Sequence, residues 1–287
     1  MTAAVYDPTP CALGEGALWH PERGEFFWFD VLRYRLHARM GGATRTWQFD
    51  EHVSAAGWID GTRFLVASET GLFVFDIETG QSEPLVPLEA DRPDTRSNDG
   101  RTDPWGGFWI GTMSKTAEEG AGAIYRYYRG ALRRLYPGVT IPNAICFAPD
   151  GAAAYFADTR TRHVMRQRLS AADGWPEGDP ELYLDLAAEG LNPDGAVIDG
   201  DGNFWNAQWG AGRVACYAPD GRFLKAVEIG SPQASCPAFG DPDGRTLFCT
   251  TARSDLPREV LDDGRAHGAV YSAPDIATGQ AEHRVIL

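Results

Sequence analysis

The sequence predicts an all-β chain folded as a six-bladed β-propeller, with four antiparallel strands per blade around a central channel, on three observations. Six turn signals recur roughly 40 to 50 residues apart, the spacing of propeller blades. Each is followed by short runs rich in aromatic and β-branched residues, and helical periodicity is nearly absent.

The first turn, Pro21-Glu22-Arg23-Gly24, leads into an aromatic run at 26–29 and a third strand at 34–37. Asp60-Gly61 precedes runs at 64–67 and 71–75, and Asp103-Pro104-Trp105-Gly106-Gly107 precedes 108–110 and 123–127. Pro149-Asp150-Gly151 opens 154–157 and 163–166, Asp201-Gly202 opens 204–207 and 212–217, and Pro242-Asp243-Gly244 opens 247–250 and 268–271. Alternation such as Ile124 against Arg126 suits half-buried strands. Residues 182–190 are the one stretch read as a short turn of helix, while 33 glycines and 19 prolines serve as turn punctuation. A blade cannot bury both faces of its sheet without neighbours, so the six units are expected to close into one ring, with residues 1–287 as a single domain. A β-sandwich is the alternative, but it gives no reason for six similar units.

Composition narrows the function classes. Net charge is −14 with no basic cluster, so nucleic acid is not an expected partner. No stretch approaches the roughly 20 apolar residues that cross a bilayer, and residues 1–10 lack the basic start and apolar run of a secretory signal, so the expected location is the cytoplasm. The five cysteines (Cys11, Cys146, Cys216, Cys236 and Cys249) are scattered and odd in number, without a Cys-x-x-Cys pair, and are expected as reduced, buried small hydrophobes. The six histidines are dispersed and expected at the surface or packed rather than as ligands. Oligomeric state is not legible.

Chemistry enters with Glu15, Asn98, Asn143 and Asp194. Each stands roughly eight or nine residues before the glycine of the following turn, in blades one, three, four and five of the repeat. In an up-and-down blade the strand before that turn lines the channel, so all four are expected near one mouth. Two carboxylates and two amides make an oxygen-only set suited to calcium, magnesium or manganese, with zinc and iron(II) also accepting carboxylates. Carboxylates facing each other across a channel repel unless a cation lies between them. Each residue also has a plainer explanation: Gly14-Glu15-Gly16 as loop, Asn98-Asp99-Gly100 and Asn192-Pro193-Asp194-Gly195 as turns, and Asn143 as a backbone cap. The common register favours the shared site. No Gly-x-Ser-x-Gly, His-Glu-x-x-His or phosphate-binding glycine loop offers a competing chemistry.

At these residues the chain resembles the senescence marker protein/gluconolactonase/luciferin-regenerating enzyme-like family, which includes regucalcin and bacterial sugar lactonases. The matching stretches are Leu13-Gly14-Glu15-Gly16 with Trp19-His20, Arg96-Ser97-Asn98-Asp99-Gly100 with Gly111-Thr112-Met113, Ile141-Pro142-Asn143, Ala157-Asp158-Thr159 and Pro193-Asp194-Gly195. The family's six-bladed propeller agrees with the repeat. The resemblance implies one divalent metal ion held by Glu15, Asn143 and Asp194, with Asn98 beside it touching water or substrate. It also implies that Arg96 binds substrate hydroxyls and that the loop 114–120 is a substrate lid in which Glu118, or its neighbour Glu119, contacts the sugar. The family's Gly-Glu-Gly-Pro reads Gly-Glu-Gly-Ala here, which leaves the ligand in place.

The expected function is therefore hydrolysis of a sugar lactone to its aldonic acid, with the metal polarising the carbonyl and Asp194 as general base toward water. Two other readings are weighed beside it: hydrolysis of another ester or a phosphotriester, and a propeller that binds metal or sugar without catalysis. The lid and the blade-six loop 254–265 are expected to set substrate choice.

Overall fold

A computed structural model describes residues 1–287, apart from the Met40 side chain. Six four-stranded antiparallel sheets stand as blades around a channel. Their inner strands are Gly14–His20, Val53–Trp58, Thr95–Thr102, Pro142–Phe147, Asn192–Ile198 and Ala234–Gly240, and each contacts the next around the ring. Ring closure comes from the amino terminus: Ala4–Asp7 pairs antiparallel with Val270–Ala273 as the outer strand of blade six. No helix is long and apolar enough to cross a membrane.

The aromatic runs become second strands because alternate residues fill opposite blade-to-blade interfaces. Phe27 and Phe29 pack toward blade two, whereas Phe26 and Trp28 pack toward blade six. Trp28, Trp109 and Trp205 are fully buried. Trp109 and Trp205 donate their indole N–H groups to Asp103 at 3.2 Å and Asp199 at 2.8 Å, carboxylates that also accept backbone N–H groups of the turns at 105–107 and 201–203. Turn and core are thereby joined through one side chain. Burial of each indole contributes roughly 2–3 kcal/mol.

Two elements depart from the sequence reading. The stretch expected as a helical turn, 182–190, instead contributes the outer strand Glu181–Asp185 followed by a turn, because Leu182 and Leu184 pair with the neighbouring strand at Met165 and Val164. The short helices lie elsewhere, at Val31–Arg33 and at Arg258–Leu261 in the blade-six loop.

The carboxy-terminal segment crosses the far end of the channel. Gln280 donates to Phe147 O at 3.1 Å and Ile198 O at 2.9 Å, Trp58 Nε1 donates to Glu282 O at 2.9 Å, and Glu282 pairs with Arg101. What remains there is a cavity of about 30 Å³, room for a single water.

Candidate active site

Every inner strand breaks its pairing register near its start, and the break is what aims the site. The irregularities fall between Glu15 and Leu18, Ser97 and Gly100, Asn143 and Cys146, and Pro193 and Ala196, with counterparts in blades two and six. Such bulges re-aim side chains that strict alternation would send to opposite faces. Glu15 and Asn143 are the last regularly paired residues before the break, whereas Asn98 and Asp194 are the first residues within it. The four are thus offset by one residue between pairs, and all four still line one cavity of about 520 Å³ at the open mouth. Asn98-Asp99-Gly100 and 192–195 are strand rather than turn, which removes the plainer reading of both. In blades two and six the corresponding residues are Ser54 and Ser235, whose hydroxyls donate to the carbonyls of Asn98 at 2.6 Å and Gly14 at 2.5 Å and brace the adjoining strands.

The amide orientations follow from the hydrogen bonds. Thr159 donates its hydroxyl to Pro193 O at 2.6 Å, so its oxygen accepts from Asn143 Nδ2 at 2.8 Å. That leaves Asn143 Oδ1 turned toward the site, where it accepts from Asn98 Nδ2 at 3.0 Å. Asn98 is more fully engaged: it donates to Pro142 O at 2.9 Å, and its Oδ1 accepts from Arg96 Nη1 at 2.8 Å. Its oxygen holds the guanidinium.

Glu15 and Asp194 are buried, and neither carboxylate accepts a side-chain hydrogen bond among the described residues. Burial first, then the Asp194 and Asp99 charges, push Glu15 well above the usual carboxylate range, and Asp194 is raised likewise by burial and then Asp99. Asp99, which accepts the Ile145 N–H at 2.7 Å, is itself raised by burial. Burial pulls Arg96 down to about 10, offset in part by Glu15 and Asp194. If both ionise, Glu15 and Asp194 face the one Arg96 guanidinium, a surplus of one negative charge in the buried mouth, with Asp99 adding its field from below. An oxygen-only set with that surplus fits a divalent cation.

The lid departs in detail from its expected form. Lys115, Thr116 and Ala117 line the cavity, whereas Glu118 and Glu119 are exposed and are not part of its lining. Lys115 is tied to Glu69 and to Pro93 O, which fixes the base of the loop. Ser254, Asp255 and Trp209 complete the wall. Sequence reasoning assigned no role to Thr159, Asp99, Ser54 or Ser235. Thr159 and Asp99 sit beside recognised residues, but only the fold reveals which neighbour each one holds.

A family model described as "SMP-30/Gluconolactonase/LRE-like region" matches residues 13–253. L-arabinolactonase of Azospirillum brasilense is 34% identical, over 98% of this chain and 95% of its own. The 6-deoxy-6-sulfogluconolactonase of Pseudomonas putida is 33% identical, over 95% and 94%. A crystal structure of a calcium-binding protein, regucalcin, from Agrobacterium tumefaciens superposes with a TM-score of 0.97 at 38% identity, covering 100% of this chain and 98% of that one.

Proposed function

The chain belongs to the SMP-30/gluconolactonase/LRE-like family, and from that premise we propose that it hydrolyses a sugar lactone to the aldonic acid at the open mouth of its channel. The observation that carries the reading is the pair of buried carboxyls, Glu15 and Asp194, facing a 520 Å³ cavity without a side-chain hydrogen bond. Relatives named as lactonases of arabinose-type and sulfogluconate-type substrates support lactone opening as the reaction class.

Glu15, Asn143 and Asp194 would hold one divalent ion, with calcium, magnesium, manganese, zinc and iron(II) all compatible with the donor set. Calcium gains support from the name of the Agrobacterium relative. When bound, such an ion polarises the lactone carbonyl and favours the ionised forms of the carboxylates. Asp194 takes a proton as the water oxygen adds to the carbonyl carbon. The same carboxyl returns that proton to the ring oxygen as the carbon–oxygen bond breaks. Arg96, held planar against Asn98, offers its remaining N–H groups to adjacent sugar hydroxyls. Asn98 fixes both Arg96 and the Asn143 oxygen, and Glu118 reaches the substrate only if the lid swings inward.

The test is turnover of pentono- and hexonolactones by metal-stripped protein, with each ion restored in turn and aryl esters and a phosphotriester as comparison substrates. Lactone opening restored by metal is expected, with Asp194→Asn lowering kcat on the order of 10²–10⁴-fold while the circular dichroism spectrum is retained. Preferential turnover of the phosphotriester, or full activity in Asp194→Asn, would overturn the assignment.

A further inference from the structure

Behind the first strand, Cys11, Asp30 and His37 bring a sulfur, a carboxylate oxygen and an imidazole nitrogen within 4.8 Å of one another. Cross-strand pairing explains how. Trp28 stands opposite His37, which stands opposite Thr46, and Asp30 is two residues along from Trp28, so all four side chains share the face turned toward blade six. Cys11 is fixed there by its own N–H to Gly268 O at 3.0 Å. All three candidate donors are essentially buried.

One polar atom at this place lacks any partner. His37 Nδ1 is engaged with Thr46 Oγ1 at 2.8 Å, but Nε2 is buried with no hydrogen bond, while the indole N–H of Trp28 has only the weakly accepting Cys11 sulfur beside it. An unpaired buried donor or acceptor costs about 1–3 kcal/mol, so the free His37 nitrogen calls for an explanation. Blade four supplies the control. By strand register, Val139, Phe156, Asp158 and Met165 occupy the places of Cys11, Trp28, Asp30 and His37. Asp158 accepts the N–H groups of Thr140 and Ile141 at 2.8 and 3.0 Å, as Asp30 accepts those of Ala12 and Leu13 at 2.9 and 3.1 Å. The carboxylate clamp on the strand entry therefore works without Cys or His. In blade one something more is present.

We propose that Cys11, Asp30 and His37 form a second metal site, for zinc or a cation of similar softness, separate from the oxygen-lined mouth. Thiolate, imidazole and carboxylate together favour such a cation over calcium or magnesium. Coordination releases one proton from the Cys11 thiol to solvent. A thiolate, a carboxylate and a neutral imidazole then cancel a 2+ charge, leaving the half-exposed Arg33, 3.4 Å from Asp30, as the one cation beside the site. The metal takes the His37 Nε2 lone pair, and the thiolate is a stronger acceptor than the thiol for the Trp28 N–H. Asp30 keeps its grip on Ala12 and Leu13, so the ion braces the strand entry that carries Glu15.

Protein expressed in cobalt-supplemented medium tests this, because cobalt bound by thiolate gives a near-ultraviolet charge-transfer band that an oxygen-only site lacks. The expected result is that band in the wild type, lost in Cys11→Ser together with one cobalt per chain by elemental analysis. Asp194→Asn is expected to keep the band, which separates this site from the lactone-opening one. A wild-type protein saturated with cobalt but showing no thiolate band overturns the proposal without recourse to any variant. A band that survives in both Cys11→Ser and His37→Gln overturns it as well.

Discussion

At the open end of the channel Glu15 and Asp194 share one buried guanidinium, that of Arg96, whereas at the closed end Arg101 is paired directly with Glu282 and also feels the Asp99 charge. The same inner strand delivers both Arg96 and Arg101, so the strand itself does not decide which end becomes a site. The difference lies in what surrounds the charge. A cavity of about 520 Å³ with surplus negative charge leaves work for a ligand, whereas a cavity of about 30 Å³ with paired charges leaves none. Buried charge alone is weak evidence of function; unbalanced buried charge beside open space is much stronger.

The largest expected effect breaks the balanced end. Glu282→Gln leaves Arg101 buried without its counter-charge, and removing one partner of such a pair costs about 3 kcal/mol. Thermal or urea unfolding should register that loss while KM for the lactone stays at the wild-type value. A substantial change in KM would mean that the two ends are coupled and that the comparison is wrong.

Neutralising the unbalanced end should act with the opposite sign. Burial and like charge raise the carboxyls of Glu15 and Asp194 in the folded, metal-free protein. A raised carboxyl contributes stability that is fully present below the unfolded value, near 4, and is lost as pH climbs through the folded value. In metal-free protein, Glu15→Gln should therefore become progressively more stable than the wild type as pH rises from about 4.5 to 8, reaching about 1–3 kcal/mol. Added divalent ion should reverse the order, because only the wild type keeps its full ligand set. Paired thermal melts across that range, with and without metal, supply both readings, and a difference that does not change with pH would refute the shared-charge account.

Some of this was legible in the sequence because it is local. A short aromatic run after a turn reads as a strand wherever it occurs, and the second and third strands stand where the pattern placed them, with third strands in blades one and six shifted by one or two residues. The meeting of Glu15, Asn98, Asn143 and Asp194 at one mouth was legible because repetition put them within one residue of a common address. Long-range partners left no such trace: the pairing of Ala4–Asp7 with Val270–Ala273 and the reach of Glu282 to Arg101 join residues far apart in the chain. Thr159 was hidden for a different reason, since its role is to turn another side chain, and nothing in its type or spacing says so. Residues 182–190 misled because leucines at 182, 184, 186 and 191 suit a short helix as well as an outer strand followed by a turn.

The lid gives the smallest expected effect and the sharpest boundary to the open end. Glu118 was assigned to the substrate by resemblance, yet its carboxylate stands in solvent while Lys115, Thr116 and Ala117 face the cavity. An exposed side chain that meets substrate only when a loop moves forms a solvent-screened contact worth about 0.5 kcal/mol. Glu118→Gln should then change KM by about twofold and leave kcat untouched, as should Glu119→Gln. Arg96→Lys provides the scale, because it removes the guanidinium fork held by Asn98 and should raise KM by at least tenfold. Steady-state kinetics on one lactone compares all three. If Glu118→Gln matched Arg96→Lys, the lid would have to close over the substrate during turnover, and the unbalanced end of the channel would extend from the inner strands into the loop above them.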